Sequence, residues 1–503
     1  MKKIFLVAAA FLALFSVSDV YAAVPFPDLT NTSADGNVFK ASDSGIKSIA
    51  SVDGSVKEGE GEKTDFGKYL NYDLTLRLDY IFSGDAKGTE ISLAKMGKLD
   101  GWWGRRVNMD KVPLRGNGQV TLRDSATNEV LYRLPFSTLF SEWLSTPEAA
   151  TTRKSFENVF LVPMPKSTAF VTVTLYGRKD EVTCEMTHKV DPKDILIRPV
   201  KSSYSVDKCR YTHKGGDSRE AIDIAIVGEG YTIAEIEDFY KHAAETTNEI
   251  LRYEPFKSMA NSLNFIAVPV VSKESGVSIP LKNEWKETAF SSHFSTFYMD
   301  RYLTTLHLFD LHDALASVPY EHIIILANTD NYGGGGIFNS YVLTAAKNRW
   351  AMPVVVHEFG HSFGGLADEY FYDDGTDQYD LYVEPWEENI TTLVNFKTKW
   401  QDMITPEKHK FSGKHSRRFV YFDEKRHLGA WTVTKYDQMD EAFKKMPVSD
   451  YKVGIYEGGG YLSEGIYRPF PTCRMRDNTY PDFCPVCRRA LERMITFNTV
   501  AQK

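Results

Sequence analysis

The sequence predicts an α+β chain, an N-terminal antiparallel β-sandwich followed by a domain that mixes strands with helices. Three observations carry this. Short runs in which apolar and polar residues alternate with period two crowd the stretch from about residue 69 to 176. Beyond residue 218, strand-like runs alternate with helical ones. Near residue 355, an apolar stripe at helical spacing runs opposite two histidines placed four residues apart.

The 503 residues are 43% hydrophobic and carry a formal net charge of −8. That length holds two to four domains with ample core. The mild acidity argues against nucleic acid or an anionic membrane as the main partner. Met1 to Ala22 has the form of a secretory signal peptide: Lys2-Lys3, an apolar run from Ile4 to Phe15, then Val20-Tyr21-Ala22 with small residues at the minus-three and minus-one positions. The apolar run is short for a membrane span, and no later stretch is long and apolar enough to be one. Cleavage before Ala23 and a secreted or periplasmic mature protein are therefore expected. Residues 23–63, rich in Ser, Gly, Asp, Asn and Lys, read as a flexible lead-in.

The sandwich is placed at residues 64–185. Asp73–Phe82, Gly118–Asp124, Asn128–Leu134 and Ala169–Tyr176 all alternate at period two, with turn residues between them. No catalytic constellation appears here, and Trp102-Trp103 reads as packing rather than as a binding platform. Residues 186–217 form a linker punctuated by Asp191-Pro192 and Arg198-Pro199 and flanked by Cys184 and Cys209.

The second domain, 218–503, opens with a strand at Ala221–Val227, a helix at Ala234–Leu251, and strands at Asn264–Val271 and His322–Ala327. Residues 333–336 are four consecutive glycines, which let another chain approach the backbone closely. The helix that follows is the most informative stretch. Met352, Val355, Val356, Phe359 and Phe363 share one side, and His357 and His361 lie nearly opposite. Pro353 suits the first turn, and Gly364-Gly365 can end the helix.

His357-Glu358-Phe359-Gly360-His361 is H-E-x-x-H, the pattern in which two imidazoles on one helix face reach one Zn²⁺ and the intervening Glu serves as general base toward metal-activated water. In the longer pattern H-E-x-x-H-x-x-G-x-x-H the chain turns at a glycine and offers a third ligand three residues on. Gly364 holds the glycine position, but the final position is Ala367, which has no donor. Asp368 and Glu369 follow, and both carry oxygens that zinc accepts. Asp368 is the first choice as third ligand, with Glu369 in support; Glu384 or Glu388 remain more distant options. The acidic run Asp373, Asp374, Asp377 and Asp380 lacks calcium-loop spacing and reads as a solvated turn.

Several ordered blocks resemble the bacterial immunoglobulin A peptidase family of zinc metallopeptidases over roughly residues 221–491. They are Ile226–Thr232, Ser272–Val277, Tyr332–Gly336, His357–Tyr370, Glu384–Thr391, Gly465–Pro469, Cys473–Arg476 and Phe483–Cys487. The resemblance implies a metzincin-like zinc peptidase domain and peptide hydrolysis. It implies His357, His361 and Asp368 as metal ligands and Glu358 as base. It does not imply that immunoglobulin A is cut, because specificity lives in the site and not in the fold. Metzincins carry a methionine turn beneath the metal, and Met475 is the candidate. Tyr461 and Tyr467 precede it; Tyr467 is preferred as a hydrogen-bond donor to the developing oxyanion. Asn389-Ile390-Thr391 has the form of a glycosylation sequon but is read as structural.

The chain has five cysteines. Export permits disulfides. A bond from Cys473 to Cys484 or Cys487 is expected, since a structural zinc needs one more ligand than this cluster supplies in sequence. Together these features predict a secreted zinc-dependent endopeptidase acting on a protein or peptide substrate. The alternatives are a zinc amidase acting on cell-wall peptide, or an inactive protease-fold binding module.

Overall fold

The computed structural model describes residues 64–202, 206–372, 379–404, 418–421, 431–434 and 447–502. The expected signal peptide and lead-in, and Asp373, Asp374 and Asp377, lie outside the described residues. Thr64–Lys503 forms one compact unit. No helix among the described residues is long and apolar enough to cross a membrane.

The alternating runs become strands. β1 (Leu70–Asp85), β2 (Gly88–Asp100), β3 (Gly118–Asp124), β4 (Val130–Phe136), β5 (Lys154–Pro165), β6 (Ala169–Tyr176), β7 (Val182–Val190) and β8 (Arg198–Pro199) come first, with helix α1 (Leu139–Trp143) between β4 and β5. They form two four-stranded sheets, ordered β5-β1-β2-β8 and β4-β3-β6-β7. Leu76, Leu78, Tyr80 and Phe82 share one face of β1 and are fully buried. Phe136 of β4 packs 4.4 Å from Phe160 of β5 and 6.1 Å from Phe82, ring centroid to ring centroid, so the two sheets share a core. Trp102 is buried edge-on to Tyr132 at 5.3 Å, a packing role.

The next stretch holds β9 (Arg210–Lys214), β10 (Ile222–Glu229), α2 (Ile236–Ile250), β11 (Leu263–Val268), α3 (Leu308–Ala314), β12 (His322–Ala327), β13 (Gly334–Ile337), β14 (Tyr341–Ala345) and α4 (Ala351–Gly364). Its sheet is ordered β13-β14-β12-β10-β11-β9. The four inner strands run parallel and the two edge strands antiparallel. Every residue of β10, β11 and β12 is buried, as expected for parallel strands covered on both faces. A third sheet, β15-β19-β18-β17-β16, is built from β15 (Phe371–Tyr372), β16 (Arg418–Tyr421), β17 (Trp431–Thr434), β18 (Tyr456–Gly459) and β19 (Tyr461–Arg468), and helix α5 (Pro485–Thr499) closes the chain. The architecture is mixed α+β.

One buried cluster runs from Leu70 and Phe82 to Ile325 and Leu343, so the N-terminal strands and the parallel sheet share buried contacts. The second face of β1 is buried as well. It carries Arg77, whose Nε lies 2.7 Å from Asp79 Oδ1 and whose guanidinium also pairs with Asp313 of α3 and donates to the Phe309 carbonyl at 3.1 Å. A buried charge needs such partners.

Two of the blocks singled out in the sequence prove to be structural. Gly230 adopts φ +74°, and a Cβ there would stand 2.1 Å from the Gly276 carbonyl oxygen. Gly276 N–H donates to the Gly230 carbonyl at 3.0 Å, and Ser272 Oγ accepts from Gly230 N–H at 2.9 Å. Glu235 binds both turns. Its carboxylate accepts from Thr232 N–H (3.0 Å), Thr232 Oγ1 (2.8 Å), Ser275 Oγ (2.8 Å) and Asn328 Nδ2 (2.9 Å). Burial alone would raise the Glu235 pKa, but these donors outweigh it and hold the pKa at about 2. The sign follows: a depressed carboxylate pKa stabilises the fold fully above the unfolded value near 4.5 and loses that contribution as pH falls toward about 2. Glu235→Gln is expected to cost about 1–2 kcal/mol at neutral pH. Urea unfolding of both proteins from pH 6 to pH 2 should show that gap closing with acid.

Candidate metal centre

Helix α4 presents its histidines because its other side is apolar. Val355, Val356, Phe359 and Phe363 are buried among the core residues of the parallel sheet. The helix stops at Gly365, whose left-handed φ of 58° lets its N–H bond the His361 carbonyl at 2.9 Å. The chain then turns back, and Asn389 clamps it. Asn389 Oδ1 accepts from Ala367 N–H at 2.8 Å, and Asn389 Nδ2 donates to the Ala367 carbonyl at 2.8 Å. Its side chain is fully buried, so the amide of the apparent sequon is spent internally.

This turn carries Asp368 to the histidines. His357 Nε2 lies 3.0 Å from Asp368 Oδ1 and 3.0 Å from His361 Nε2, and His361 Nε2 lies 3.3 Å from the same Asp368 oxygen. His357 Nδ1 donates to the Arg474 carbonyl at 2.9 Å, and His361 Nδ1 donates to the Leu366 carbonyl at 2.6 Å. A carbonyl can only accept, so each Nδ1 carries a proton, and each ring turns its Nε2 toward the other and toward Asp368. Two ring nitrogens and a carboxylate oxygen this close need a shared positive charge among them, either a proton or a metal ion. Donors about 2.0–2.1 Å from one ion at tetrahedral angles stand about 3.3 Å apart. The donor set fits a divalent metal.

The site favours positive charge. Burial would depress the His361 pKa, but the Asp368 carboxylate outweighs it and holds it up at about 9, so a metal ion binding here displaces a proton. Burial would likewise raise the Asp368 pKa, and the two imidazoles instead hold it well below the usual carboxylate range. The Tyr461 hydroxyl donates to Asp368 Oδ2, which fixes the carboxylate and leaves Oδ1 for the histidines. Glu358 faces the edge strand β13. Burial pushes its pKa up, partly offset by His357 and His361.

Met475 is fully buried under α4: a Cβ on Gly360, between the two histidines, would meet its Sδ at 2.6 Å. Glu384 and Glu388 are occupied elsewhere; Glu384 accepts from Asn395 N–H at 2.9 Å and Glu388 pairs with Arg493 at 3.2 Å. Glu369, expected to support Asp368, turns away from it toward three cysteines. Tyr467 requires a correction. It is 0% exposed within the core, where substrate cannot reach its hydroxyl, and the tyrosine that touches the site is Tyr461.

Further groups around the site were not foreseen. Arg301 acts on Glu358 and donates to the Tyr372 hydroxyl at 2.9 Å, and Tyr370 stacks edge-on against Tyr461 at 5.4 Å. From the N-terminal strands' side, α1 contributes Glu142, which accepts from the Tyr302 hydroxyl. Burial pushes Glu142 up to about 7, and His361, Glu358 and Asp368 all act on its charge. No local pattern marks these residues, because each reaches the site through a different loop or element.

A family model described as IgA peptidase M64 matches residues 212–495, and one described as Peptidase M64 N-terminus matches residues 65–187. The chain belongs to the IgA peptidase M64 family. It is therefore a peptidase by family, and M64 peptidases are metallopeptidases. A search of the curated proteins gives no match.

In this M64 chain the glycine run touches the helix backbone. A Cβ on Gly336 would stand 2.3 Å from the Glu358 carbonyl oxygen and 3.1 Å from its Cα; one on Gly334 would stand 3.3 Å from Glu358 Cγ. Strand β13 thus borders the site, but its outer edge is not wholly open, since Tyr302 pairs with it at Gly334. Gly336→Ala must push strand from helix by about 1 Å, a displacement that can cost about 100-fold in rate. Peptidase assays are expected to show that loss with metal content unchanged.

Proposed function

We propose that the protein is a secreted zinc-dependent endopeptidase. The convergence of His357 Nε2, His361 Nε2 and Asp368 Oδ1 within 3.3 Å carries this reading. These three residues would hold Zn²⁺, which suits a nitrogen and oxygen donor set. A zinc ion held there would lower the pKa of a water toward about 7 and polarise a carbonyl. Glu358 takes the proton from the attacking water and hands it to the leaving amine; its raised pKa suits both transfers. Tyr461 keeps Asp368 oriented throughout. An extended substrate lies along the part of β13 that Tyr302 leaves unpaired, next to Glu358. We read the two N-terminal sheets as a β-sandwich and the remainder as a metzincin-like domain, with Met475 in the place of the methionine turn beneath Gly360. Export rests on the signal-like form of the first 22 residues.

Treatment with a strong chelator should abolish cleavage of unfolded protein substrates, and Zn²⁺ should restore it. Cleavage-site profiling on a proteome-derived peptide library reads the specificity. Activity that survives complete metal removal would end the zinc reading. Peptidoglycan fragments cut in place of proteins would identify a cell-wall amidase instead.

A further inference from the structure

A second set of metal donors lies on the other side of Asp368. Glu369, Cys473, Cys484 and Cys487 each bring one donor atom to a common point, all within 4.8 Å of one another, and all four are buried. Cys487 Sγ lies 3.7 Å from Cys473 Sγ and 3.1 Å from Glu369 Oε1. Two sulfurs about 2.3 Å from one tetrahedral ion stand about 3.8 Å apart, whereas a disulfide requires about 2.05 Å. The expected bond from Cys473 to Cys484 or Cys487 is thus not what the structure shows; all five cysteines are free thiols.

We propose that Glu369, Cys473, Cys484 and Cys487 form a four-coordinate structural Zn²⁺ site, separate from the His357 site.

Three features support it. The first is the Glu369 carboxylate, which is 0% exposed; Asn389 Nδ2 donates to Oε1 at 3.0 Å, but among the described residues Oε2 has no hydrogen-bond partner. Arg468 offsets part of the cost of burying this charge, and a metal ion shared with the cysteines would answer the rest. The second is backbone donation to sulfur. Cys484 N–H points at Cys473 Sγ at 3.1 Å, and Cys487 N–H at Cys484 Sγ at 3.5 Å, an arrangement that stabilises thiolates. The third is position. Cys484 caps the N-terminus of α5 and Cys487 lies in its first turn, where the helix dipole favours negative charge. A closed set of three thiolates and one carboxylate has no open position for substrate, and thiolate-rich tetrahedral sites select zinc. Binding releases the thiol protons to solvent and needs no oxidant, unlike a disulfide.

The site's purpose follows from its neighbours. Glu369 N–H donates to the Met475 carbonyl at 2.8 Å, and Arg476 donates to the Glu369 carbonyl at 3.0 Å. Between Cys473 and Met475 stands Arg474, whose carbonyl holds His357 Nδ1. An ion at the cysteines therefore ties the segment 473–476 to Asp368-Glu369 and braces a ligand and a ligand's hydrogen-bond partner of the first site.

The test uses the full chain purified without chelator. Elemental analysis should find two zinc ions per chain in the native protein and one in the His357→Ala/His361→Ala double variant. Zinc X-ray absorption on that variant should show a sulfur-dominated shell near 2.3 Å. Alkylation followed by mass spectrometry should find the three cysteines as thiols, protected until the zinc is removed. Glu369→Gln should weaken this zinc about 10- to 100-fold in competition with a chromophoric chelator. One zinc in the native protein, a sulfur-free shell, or a disulfide among these cysteines in the protein as purified would overturn the proposal. A single ion with a nitrogen and oxygen shell would do so while leaving the His357 site standing. Two zinc ions with no peptidase activity would leave this proposal standing and overturn the proposed endopeptidase function instead.

Discussion

Glu358→Gln is expected to lower the rate of peptide hydrolysis by at least about 10³-fold while the protein keeps its metal. The carboxylate is not among the donors that converge on the metal position, so the amide replacement leaves His357, His361 and Asp368 undisturbed. It also keeps the shape that packs beside Gly334 and Gly336. What disappears is the ability to take a proton from the attacking water and return it to the amine. Burial raises the pKa of this carboxyl, bringing it nearer the value at which one group performs both transfers near neutral pH. The measurement pairs kcat on a defined peptide with metal content by elemental analysis. Full metal with a rate within ten-fold of the native protein would remove Glu358 from the mechanism; lost metal would mean that its carboxylate supports the ligands instead.

The helix that carries this site was legible because local rules and tertiary needs coincide there. Apolar spacing, a glycine stop and paired histidines all lie within one stretch of chain, and the fold leaves each where helical geometry puts it. Asp368 was legible for a related reason, since the turn after Gly365 brings the chain back within a few residues. The tyrosine was not. Tyr461 and Tyr467 stand on one strand, and strict alternation would put both on the same face. Tyr461, however, has φ +69°, Gly465 has φ +82°, and the pairing of β18 with β19 slips between Glu457 and Gly459. These irregularities bury Tyr467 and turn Tyr461 to Asp368, and no pattern in the sequence announces them. The cysteine cluster shows the same limit. Its three thiols are close in sequence, but the fourth donor, Glu369, arrives from the far side of the metal turn, and only the fold brings them together.

The residue on which both donor sets depend is Asn389, and Asn389→Ala is expected to disable the protein. One amide satisfies the N–H and the carbonyl of Ala367 and donates to Glu369 Oε1, all in a fully buried setting. Each buried group left unsatisfied costs about 1–3 kcal/mol, so the loss should reach roughly 3–5 kcal/mol. The structural consequence exceeds the energetic one. Ala367 precedes Asp368 and Glu369, which point in opposite directions, one to the histidines and the other to the cysteines. Releasing the turn frees both carboxylates at once. Denaturant unfolding should show the lower stability, and metal analysis should show depletion at both sites even at temperatures where the fold persists. A glycan-bearing Asn389 would predict a different result, loss of mass without loss of metal. The burial of that side chain excludes it from the folded protein, because the amide nitrogen that a sugar would occupy already bonds Ala367 and Glu369.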